Sequence, residues 1–228
     1  MLEGLIPGGG WTLLLGPGKV GKSLFGAQLA HALATGQEFF GCQNRAGPLR
    51  VVYVQADTPG SVWTEEVATL GLPSTPRVQF LFPDWGALSL GVQPMRDALE
   101  PYRPQYVIWD SMEKVFFGLD LTDKEIVAEC LSRLRRLCGP AFGLIHHTRK
   151  SRPGEEDSSR DAAWGSSFLS HDWTQQVHFR GSTGPVEIIG RLIRDEVLLP
   201  GKDVVRSTTG AWIRRQRETY RLEEERGD

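Results

Sequence analysis

Near its amino end the chain reads Gly16-Pro17-Gly18-Lys19-Val20-Gly21-Lys22-Ser23. A glycine, four residues, a second glycine, a lysine and a serine form a pattern typical of loops that wrap around phosphate groups. Glycines let backbone N–H groups point at phosphate oxygens, and a helix that starts within the loop adds positive potential. The pattern therefore predicts a nucleotide site that runs from Gly16 to Leu24.

Two side chains of this loop have predicted roles. Lys22 is expected to reach the β and γ phosphates of ATP, and the hydroxyl group of Ser23 is expected to ligate Mg²⁺. The alternative is a glycine-rich turn with a surface lysine. The flanking sequence favours the phosphate site, because the motif requires a strand before it and a helix after it. The apolar run 11–15 fits the strand, and apolar residues recur at helical spacing over 24–33, before Gly36.

The alternation of strands and helices continues to His147. Further strands are predicted at the apolar runs 49–54, 78–82, 106–110 and 142–145. Helices are predicted to start at Thr58-Pro59, at Pro94 and at a capping pair formed by Thr122 and Glu125. This order is typical of an α/β fold in which helices flank a mostly parallel central sheet. Short β-rich runs over 173–199 predict antiparallel strands at the C-terminal edge.

Length and charge restrict the class of protein. We expect residues 1–213 to form one domain and residues 214–228 to form a charged tail. The 228 residues include 26 Lys and Arg against 28 Asp and Glu, a formal net charge of −2. This balance excludes a generally basic protein that coats nucleic acid, so any binding to nucleic acid has to use a local patch.

The sequence also predicts the compartment. No apolar stretch approaches the ~18 residues that a membrane span needs, and the start lacks the pattern of a signal peptide. The three cysteines, Cys42, Cys130 and Cys138, are too widely spaced for a disulfide framework or a zinc site. We therefore expect a cytoplasmic protein that does not associate with membranes.

Two carboxylates are candidates for the chemistry of a bound nucleotide. Asp110 ends a predicted strand, where an acid faces the phosphate loop across the carboxyl edge of the sheet, and it is expected to hold Mg²⁺ with Ser23. Asp57 follows another strand and is expected to orient the attacking water. For each carboxylate the alternative is a helix-capping aspartate without a catalytic role.

His146 and His147 end a further strand at the same edge. A titratable side chain in that position is able to contact the γ phosphate and respond to its loss. Alternation along a strand also permits one histidine in the core and the other in solvent. We expect one of the two to sense the phosphate.

Beyond these residues, the chain resembles RecA-like ATPases of the RepA-type hexameric helicase family, with DnaB and KaiC as more distant relatives. The resemblance runs from about Pro7 to Trp212 and rests on the phosphate loop and on the segments Pro7-Gly8-Gly9, Tyr53 to Pro59, Val107 to Ser111, His146-His147, Gly165 to Ser167, Gly190-Arg191 and Gly210 to Trp212. It implies a RecA-like fold with ATP and Mg²⁺ as cofactors. A catalytic glutamate of the family stands where this chain has Asp57, which is one methylene shorter.

The resemblance also implies assembly and a DNA partner. Arg191 and Arg194 match the region from which the family inserts a cation into the neighbouring subunit's ATP site, as expected for a hexameric ring or a filament. The loop 149–162 matches the segment that contacts single-stranded DNA in the family. Its cations are Arg149, Lys150, Arg152 and Arg160, and an equal number of acidic residues leaves the loop neutral.

The leading hypothesis is a Mg²⁺-dependent ATPase that couples hydrolysis to the binding or translocation of single-stranded DNA, as a replicative helicase does. The second is a nucleotide-gated regulatory or repair-accessory ATPase without unwinding activity, which the aspartate at position 57 and the neutral loop favour. A small-molecule kinase fits the β-rich C-terminal part less well. Stimulation of hydrolysis by single-stranded DNA separates the first two hypotheses.

Overall fold

A computed structural model describes residues 1–83, 92–138, 141–148, 173–180, 186–192, 202–206 and 212–214. Within these ranges a single sheet has nine strands in the order β3-β2-β4-β5-β1-β6-β7-β8-β9. The strands are β1 Trp11–Gly16, β2 Val51–Gln55, β3 Val78–Leu81, β4 Tyr106–Asp110, β5 Phe142–His147, β6 Gln175–Arg180, β7 Val186–Leu192, β8 Lys202–Arg206 and β9 Trp212–Arg214.

The strands from β3 to β6 in this order pair in parallel, and β7, β8 and β9 add antiparallel strands at one edge. The predicted α/β fold with a mostly parallel sheet and antiparallel strands at the C-terminal edge is therefore confirmed. The helices are α1 Lys22–Thr35, α2 Gly60–Ala68, α3 Gln93–Leu99, α4 Met112–Val115 and α5 Lys124–Cys138, with a 3-10 turn at Glu100–Tyr102.

Both faces of the central strands β1, β2, β4 and β5 are buried, which explains why these strands read as continuous apolar runs rather than as alternating ones. In β4, Ile108 packs into the core cluster on the α1 side, and its neighbours Val107 and Trp109 pack into the cluster on the α5 side. All three are at most 1% exposed. The strands β1, β2, β4 and β5 therefore each supply side chains to two cores.

The helix α1 lies close against the sheet because residue 26 is a glycine. A Cβ atom at Gly26 would lie 3.0 Å from the ring and the hydroxyl oxygen of Tyr53, so a larger side chain would push the helix away from β2. The helix ends at Gly36, whose φ of +75° suits glycine and whose N–H bonds the carbonyl of Ala32. The predicted end of this helix is confirmed.

Two predicted helix starts are wrong in detail. Asp123 rather than Thr122 caps α5, because Oδ1 of Asp123 accepts the N–H groups of Glu125 and Ile126 at 2.7 and 3.2 Å. Thr122 instead donates its hydroxyl hydrogen bond to Asp120 at 2.6 Å, which removes it from the cap position.

The helix α2 begins at Gly60, and its N-cap residue is Pro59, which makes no side-chain capping bond. Thr58 lies one residue earlier, in a turn that Gln55 organises by accepting its N–H at 3.0 Å. In the described ranges we find no helix with the length and apolar character that crossing a membrane requires.

Candidate functional site

The predicted site residues meet at the carboxyl edge of the parallel strands. Gly16, the last residue of β1, is in register with His147 of β5, and Gln55 of β2 is in register with Asp110 of β4. Because β4 and β5 are neighbours and β1 follows β5 in the sheet, these strand ends are adjacent. Ligands of open α/β sheets bind at this edge.

The phosphate loop connects β1 to α1 through two left-handed residues. Lys19 has φ +64°, and Gly21, the N-cap residue of α1, has φ +95°. Gly21 makes no side-chain capping bond, and the first turn of a helix leaves backbone N–H groups without an intrahelical acceptor. A Cβ at Gly18 would lie 4.0 Å from Nδ1 of His147, so the loop also passes close to β5. This geometry suits an anion.

Lys22 is held inside the loop by three acceptors. Its Nζ atom donates to the carbonyl oxygens of Gly16 and Pro17 at 2.8 and 2.7 Å, and it lies 3.2 Å from Nδ1 of His147. Only 4% of the residue is exposed. Burial lowers the pKa of the Lys22 ammonium group to about 8, although the negative charges of Asp110, Glu113 and Asp57 oppose this shift.

Asp110 is buried and anchored through one oxygen atom. Its Oδ2 accepts from the hydroxyl group of Tyr53 at 2.6 Å and from Nε2 of Gln55 at 2.9 Å. Burial raises the pKa of the Asp110 carboxyl group above its ordinary value, and hydrogen bonds from Tyr53, Ser23 and Gln55 oppose that shift. The side chains of Ser23 and Asp110, both predicted from the sequence to hold Mg²⁺, are therefore within hydrogen-bond distance of each other.

The Tyr53 hydroxyl group also reaches the phosphate loop, since it lies 3.1 Å from the main-chain oxygen of Ser23. One tyrosine thus joins β2, the carboxylate of Asp110 and the first turn of α1. Sequence reasoning missed both Tyr53 and Gln55. The sequence does contain a signal for both residues, because each is a polar side chain within the apolar strand β2, and a buried polar group needs a hydrogen-bond partner.

Gln55 connects Asp110 to the loop that carries Asp57. Its Oε1 accepts the N–H groups of Asp57 and Thr58 at 2.8 and 3.0 Å, while its amide nitrogen bonds Asp110. The carboxylate of Asp57 is 40% exposed and lies 4.0 Å from Nζ of Lys114. Asp57 is therefore at the same edge as Asp110, and its carboxylate is accessible to water.

The two histidines occupy different environments, as the alternation of β5 predicts. His146 is fully buried, and its Nδ1 lies 2.9 Å from Oε1 of Glu113. His147 is partly buried and turns its ring toward Lys22. Burial and the Lys22 charge lower the pKa of the His147 ring, whereas the charges of Glu113 and Asp57 oppose the shift. The histidine beside the phosphate loop is thus His147.

Glu113 was not among the residues selected from sequence. Burial favours its neutral acid, but the hydrogen bond and charge of His146 favour the carboxylate, so the pKa of Glu113 falls to about 2. Its Oε1 also accepts the backbone N–H of His147 at 3.1 Å. No sequence motif marks this residue, which lies in the one-turn helix α4.

For Arg191 the structure describes the backbone only, and five other predicted residues lie outside the described ranges. Arg191 is part of β7, in register with Gln176 of β6, and the description of β7 does not extend to its side chains. The other residues outside the description are Arg149, Lys150, Arg152, Arg160 and Arg194. The arginine and DNA-contact assignments therefore stay predictions, as does the division into a domain and a tail at residue 214.

Comparison with known proteins identifies the family. Residues 1–153, which include the phosphate loop, Asp57, Asp110 and both histidines, match the AAA domain family. The chain belongs to the AAA domain family. It is a P-loop ATPase with a RecA-like α/β fold, and the AAA domain match accounts for the phosphate loop and the strands that carry the candidate carboxylates.

Solved structures support the fold of this AAA domain protein. One is the crystal structure of a KaiC-like protein from the hyperthermophilic archaeon Pyrococcus horikoshii OT3, with a TM-score of 0.59 and 14% sequence identity. The alignment covers 92% of this chain and 91% of that one. No curated protein matches the chain.

Proposed function

We propose that the chain hydrolyses ATP with Mg²⁺ as its cofactor, at the loop from Gly16 to Leu24. The supporting observation is the Lys22 ammonium group, which is buried and bonded to two loop carbonyls and to His147. A triphosphate would replace these acceptors by phosphate oxygens, and charge-assisted hydrogen bonds to phosphate are stronger than bonds to neutral carbonyls. The lysine would then contact the β and γ phosphates.

The oxygen donors beside Lys22 fit a magnesium ion. Mg²⁺ is bound by one or two carboxylates or hydroxyls together with phosphate oxygens and waters. Ser23 and Asp110 supply a hydroxyl group and a carboxylate, and a cation would offset the buried charge of Asp110. These two residues would hold the ion, which neutralises charge on the bound phosphates.

Asp57 is proposed to orient the attacking water and to accept its proton. Its loop is tied to Asp110 through Gln55, and its carboxylate is exposed enough to meet a water molecule. His147 is proposed to sense the γ phosphate, since its ring contacts the Lys22 ammonium group, which is expected to bind that phosphate. His146 is proposed to support it from the neighbouring position in β5.

Hydrolysis is proposed to take place at interfaces between copies of the chain, in a hexameric ring or a filament. The resemblance to RepA-type helicases assigns Arg191 and Arg194 to the neighbouring subunit's site. A guanidinium group beside the γ phosphate raises the hydrolysis rate by about 10³-fold or more. An arginine supplied by a neighbour would make turnover depend on assembly.

Single-stranded DNA is the proposed partner, with Arg149, Lys150, Arg152 and Arg160 in contact with its phosphates. The activity would be that of a RepA-type motor. The second candidate is a nucleotide-gated regulatory ATPase that unwinds nothing. It is favoured by the neutral charge of the 149–162 loop and by Asp57, a shorter carboxylate than the family's glutamate.

Phosphate release from ATP tests the proposal, measured with and without Mg²⁺ and with and without single-stranded DNA, alongside the mass of the assembly from light scattering. We expect Mg²⁺-dependent hydrolysis, an ATP-induced increase in mass, and stimulation by DNA that declines with salt. Hydrolysis without stimulation would favour the regulatory ATPase. No affinity for ATP would refute the site itself.

A further inference from the structure

The helix α4, Met112–Val115, carries a carboxylate into the space beside the phosphate loop. Met112, Val115 and the following Phe116 are fully buried, so the helix is anchored in the core on the α5 side of the sheet. Glu113 lies between these anchors and is partly buried. The buried residues before and after Glu113 in the chain therefore fix its position.

Glu113 bonds the end of β5 where strand pairing stops. The pairing of β4 with β5 ends at Trp109 and Leu144, whereas β1 pairs with β5 as far as His147. The N–H group of His147 therefore has no β4 residue opposite it, and Oε1 of Glu113 accepts it at 3.1 Å. The carboxylate thus takes over a hydrogen bond that a longer β4 would have supplied.

The same carboxylate oxygen lies 2.9 Å from Nδ1 of the buried ring of His146. One oxygen atom therefore contacts both consecutive histidines, one through its ring and the other through its backbone. A contact between two buried ionisable side chains is weak evidence for stability, because the cost of removing such groups from water offsets most of what the contact returns. The two contacts of Glu113 are better suited to fixing the positions of His146 and His147.

The contacts of Glu113 determine the position of the His147 ring relative to the ammonium group of Lys22. An ammonium group only donates hydrogen bonds, so Nδ1 of His147, 3.2 Å from Nζ of Lys22, is an acceptor without its own proton. The ring nitrogen keeps this position only while the backbone of His147 stays in place. The contacts from Glu113 to the N–H group of His147 and to the ring of His146 restrain that backbone.

We propose that Glu113 is a positioning residue, which holds His147 in register with Lys22 so that both groups meet the γ phosphate together. The inference rests on the proposed ATPase function. Glu113 contacts His146 and His147, and it acts on the phosphate loop through His147. A displacement of about 1 Å in a catalytic group lowers rates by up to about 10²-fold, so a restraint of this kind affects turnover more than binding.

Glu113→Ala and Glu113→Gln test the proposal, with Glu129→Gln as the matched control. Glu129 is a half-exposed carboxylate on α5 that pairs with arginines of the same helix. We expect Glu113→Ala to lower kcat for ATP by about 10- to 100-fold, with nucleotide affinity changed less than about threefold. Glu113→Gln keeps an acceptor for the His147 N–H and should lose less than Glu113→Ala.

Three results would overturn the positioning role. The first is wild-type kcat in Glu113→Ala, and the second is an equal loss in the Gln and Ala variants, since only Gln retains the acceptor. The third is a parallel fall of kcat and nucleotide affinity with early melting, which indicates a structural role alone. The control variant Glu129→Gln should keep wild-type kcat.

A second measurement keeps the proposal separate from the ATPase assignment. Long-range proton–nitrogen spectra of the histidine rings show which ring nitrogen carries the proton, and they require no ATP. We expect an unprotonated Nδ1 for His147 in the wild type and a changed signal in Glu113→Ala, while His31 and His178 serve as internal references. Unchanged His147 signals would overturn the proposal. If the wild type does not hydrolyse ATP but the His147 signals change in Glu113→Ala, the proposed function is overturned and the positioning role of Glu113 is not.

Discussion

Nζ of Lys22 lies 3.2 Å from Nδ1 of His147, although 125 positions separate the two residues in the chain. The remaining contacts of the ammonium group are carbonyl oxygens of its own loop. A charge in this position is costly when no phosphate is bound, as the pKa of about 8 for Lys22 indicates. The buried ammonium group of Lys22 therefore lowers the stability of the nucleotide-free protein.

We predict that Lys22→Met abolishes ATP binding and stabilises the nucleotide-free protein. Replacing a buried charge by an apolar side chain of similar length removes its desolvation cost, and we expect the free energy of unfolding at pH 7 to rise by about 1 kcal/mol. Urea unfolding and a fluorescent nucleotide titration measure the two effects. Lys124→Met, at an exposed lysine, should change stability by less than about 0.5 kcal/mol. Undiminished ATP binding in Lys22→Met would contradict the assignment of Lys22.

Asp57→Asn should keep ATP binding and lose hydrolysis by about 10²-fold or more, because the amide cannot accept the proton of the attacking water. Single-turnover phosphate release and nucleotide titration separate the two quantities. Asp97→Asn, at an exposed aspartate of α3, is the control and should retain wild-type turnover. Asp57→Glu keeps the carboxylate and is expected to remain active. Normal hydrolysis in Asp57→Asn would move the water-orienting role to another residue.

Tyr53→Phe removes the 2.6 Å hydrogen bond to Asp110 and leaves a buried carboxylate with one donor fewer. The expected loss is about 2 kcal/mol in the free energy of unfolding, measured in urea without nucleotide. Saturating Mg²⁺ and ATP should reduce the loss, since a cation also compensates the Asp110 charge. Tyr102→Phe, at a more exposed tyrosine, should be nearly neutral. Equal stabilities for both variants would show that the Tyr53 bond contributes little.

The pKa of Glu113, about 2 in the folded protein, predicts a specific pH dependence. A depressed carboxyl pKa means that the unfolded chain binds the proton at higher pH than the folded one. The stabilisation by the charged form of Glu113 is therefore complete above about pH 4.5 and is lost as pH falls toward 2. The stability gap between the wild type and Glu113→Gln should narrow between pH 6 and pH 3 in urea unfolding. A gap that is independent of pH would contradict this charge assignment.

Mixed assemblies test the predicted arginines. A Lys22→Ala subunit lacks the phosphate contact but keeps its arginines, and an Arg191→Ala or Arg194→Ala subunit has the opposite defect. If the arginine acts on a neighbouring site, mixing the two inactive forms should restore part of the ATP hydrolysis. The mass of the mixed assembly is measured in parallel. Assembly without restored activity would argue against a role for that arginine across the interface.

Local pattern was sufficient for much of the fold. The phosphate loop needs left-handed or unhindered backbone at Gly21, and the apolar runs of strands buried on both faces are visible in any short window. Helix starts were less predictable. The cap of α5 is Asp123 rather than the predicted Thr122, because threonine and aspartate are both able to cap a helix and the hydroxyl group of Thr122 is bonded to Asp120 instead.

The candidate site was predicted in its parts but not in its connections. Asp57, Asp110 and His147 stand at strand ends, and parallel strands bring such ends to one edge. Tyr53, Gln55 and Glu113 follow no motif, since each acts through a hydrogen bond to a residue on another strand or helix. Such bonds depend on which strands are neighbours.

The amino-acid sequence by itself determined a phosphate loop between a strand and a helix, because glycine spacing and apolar periodicity are local properties of the chain. Only the tertiary structure decided that Lys22 meets His147, that Asp110 is bonded by Tyr53 and Gln55, and that Glu113 reaches β5. The physical reason is the strand order, in which β4 and β5 lie between β2 and β1. The strand order is a property of the whole fold, and no short window of sequence contains it.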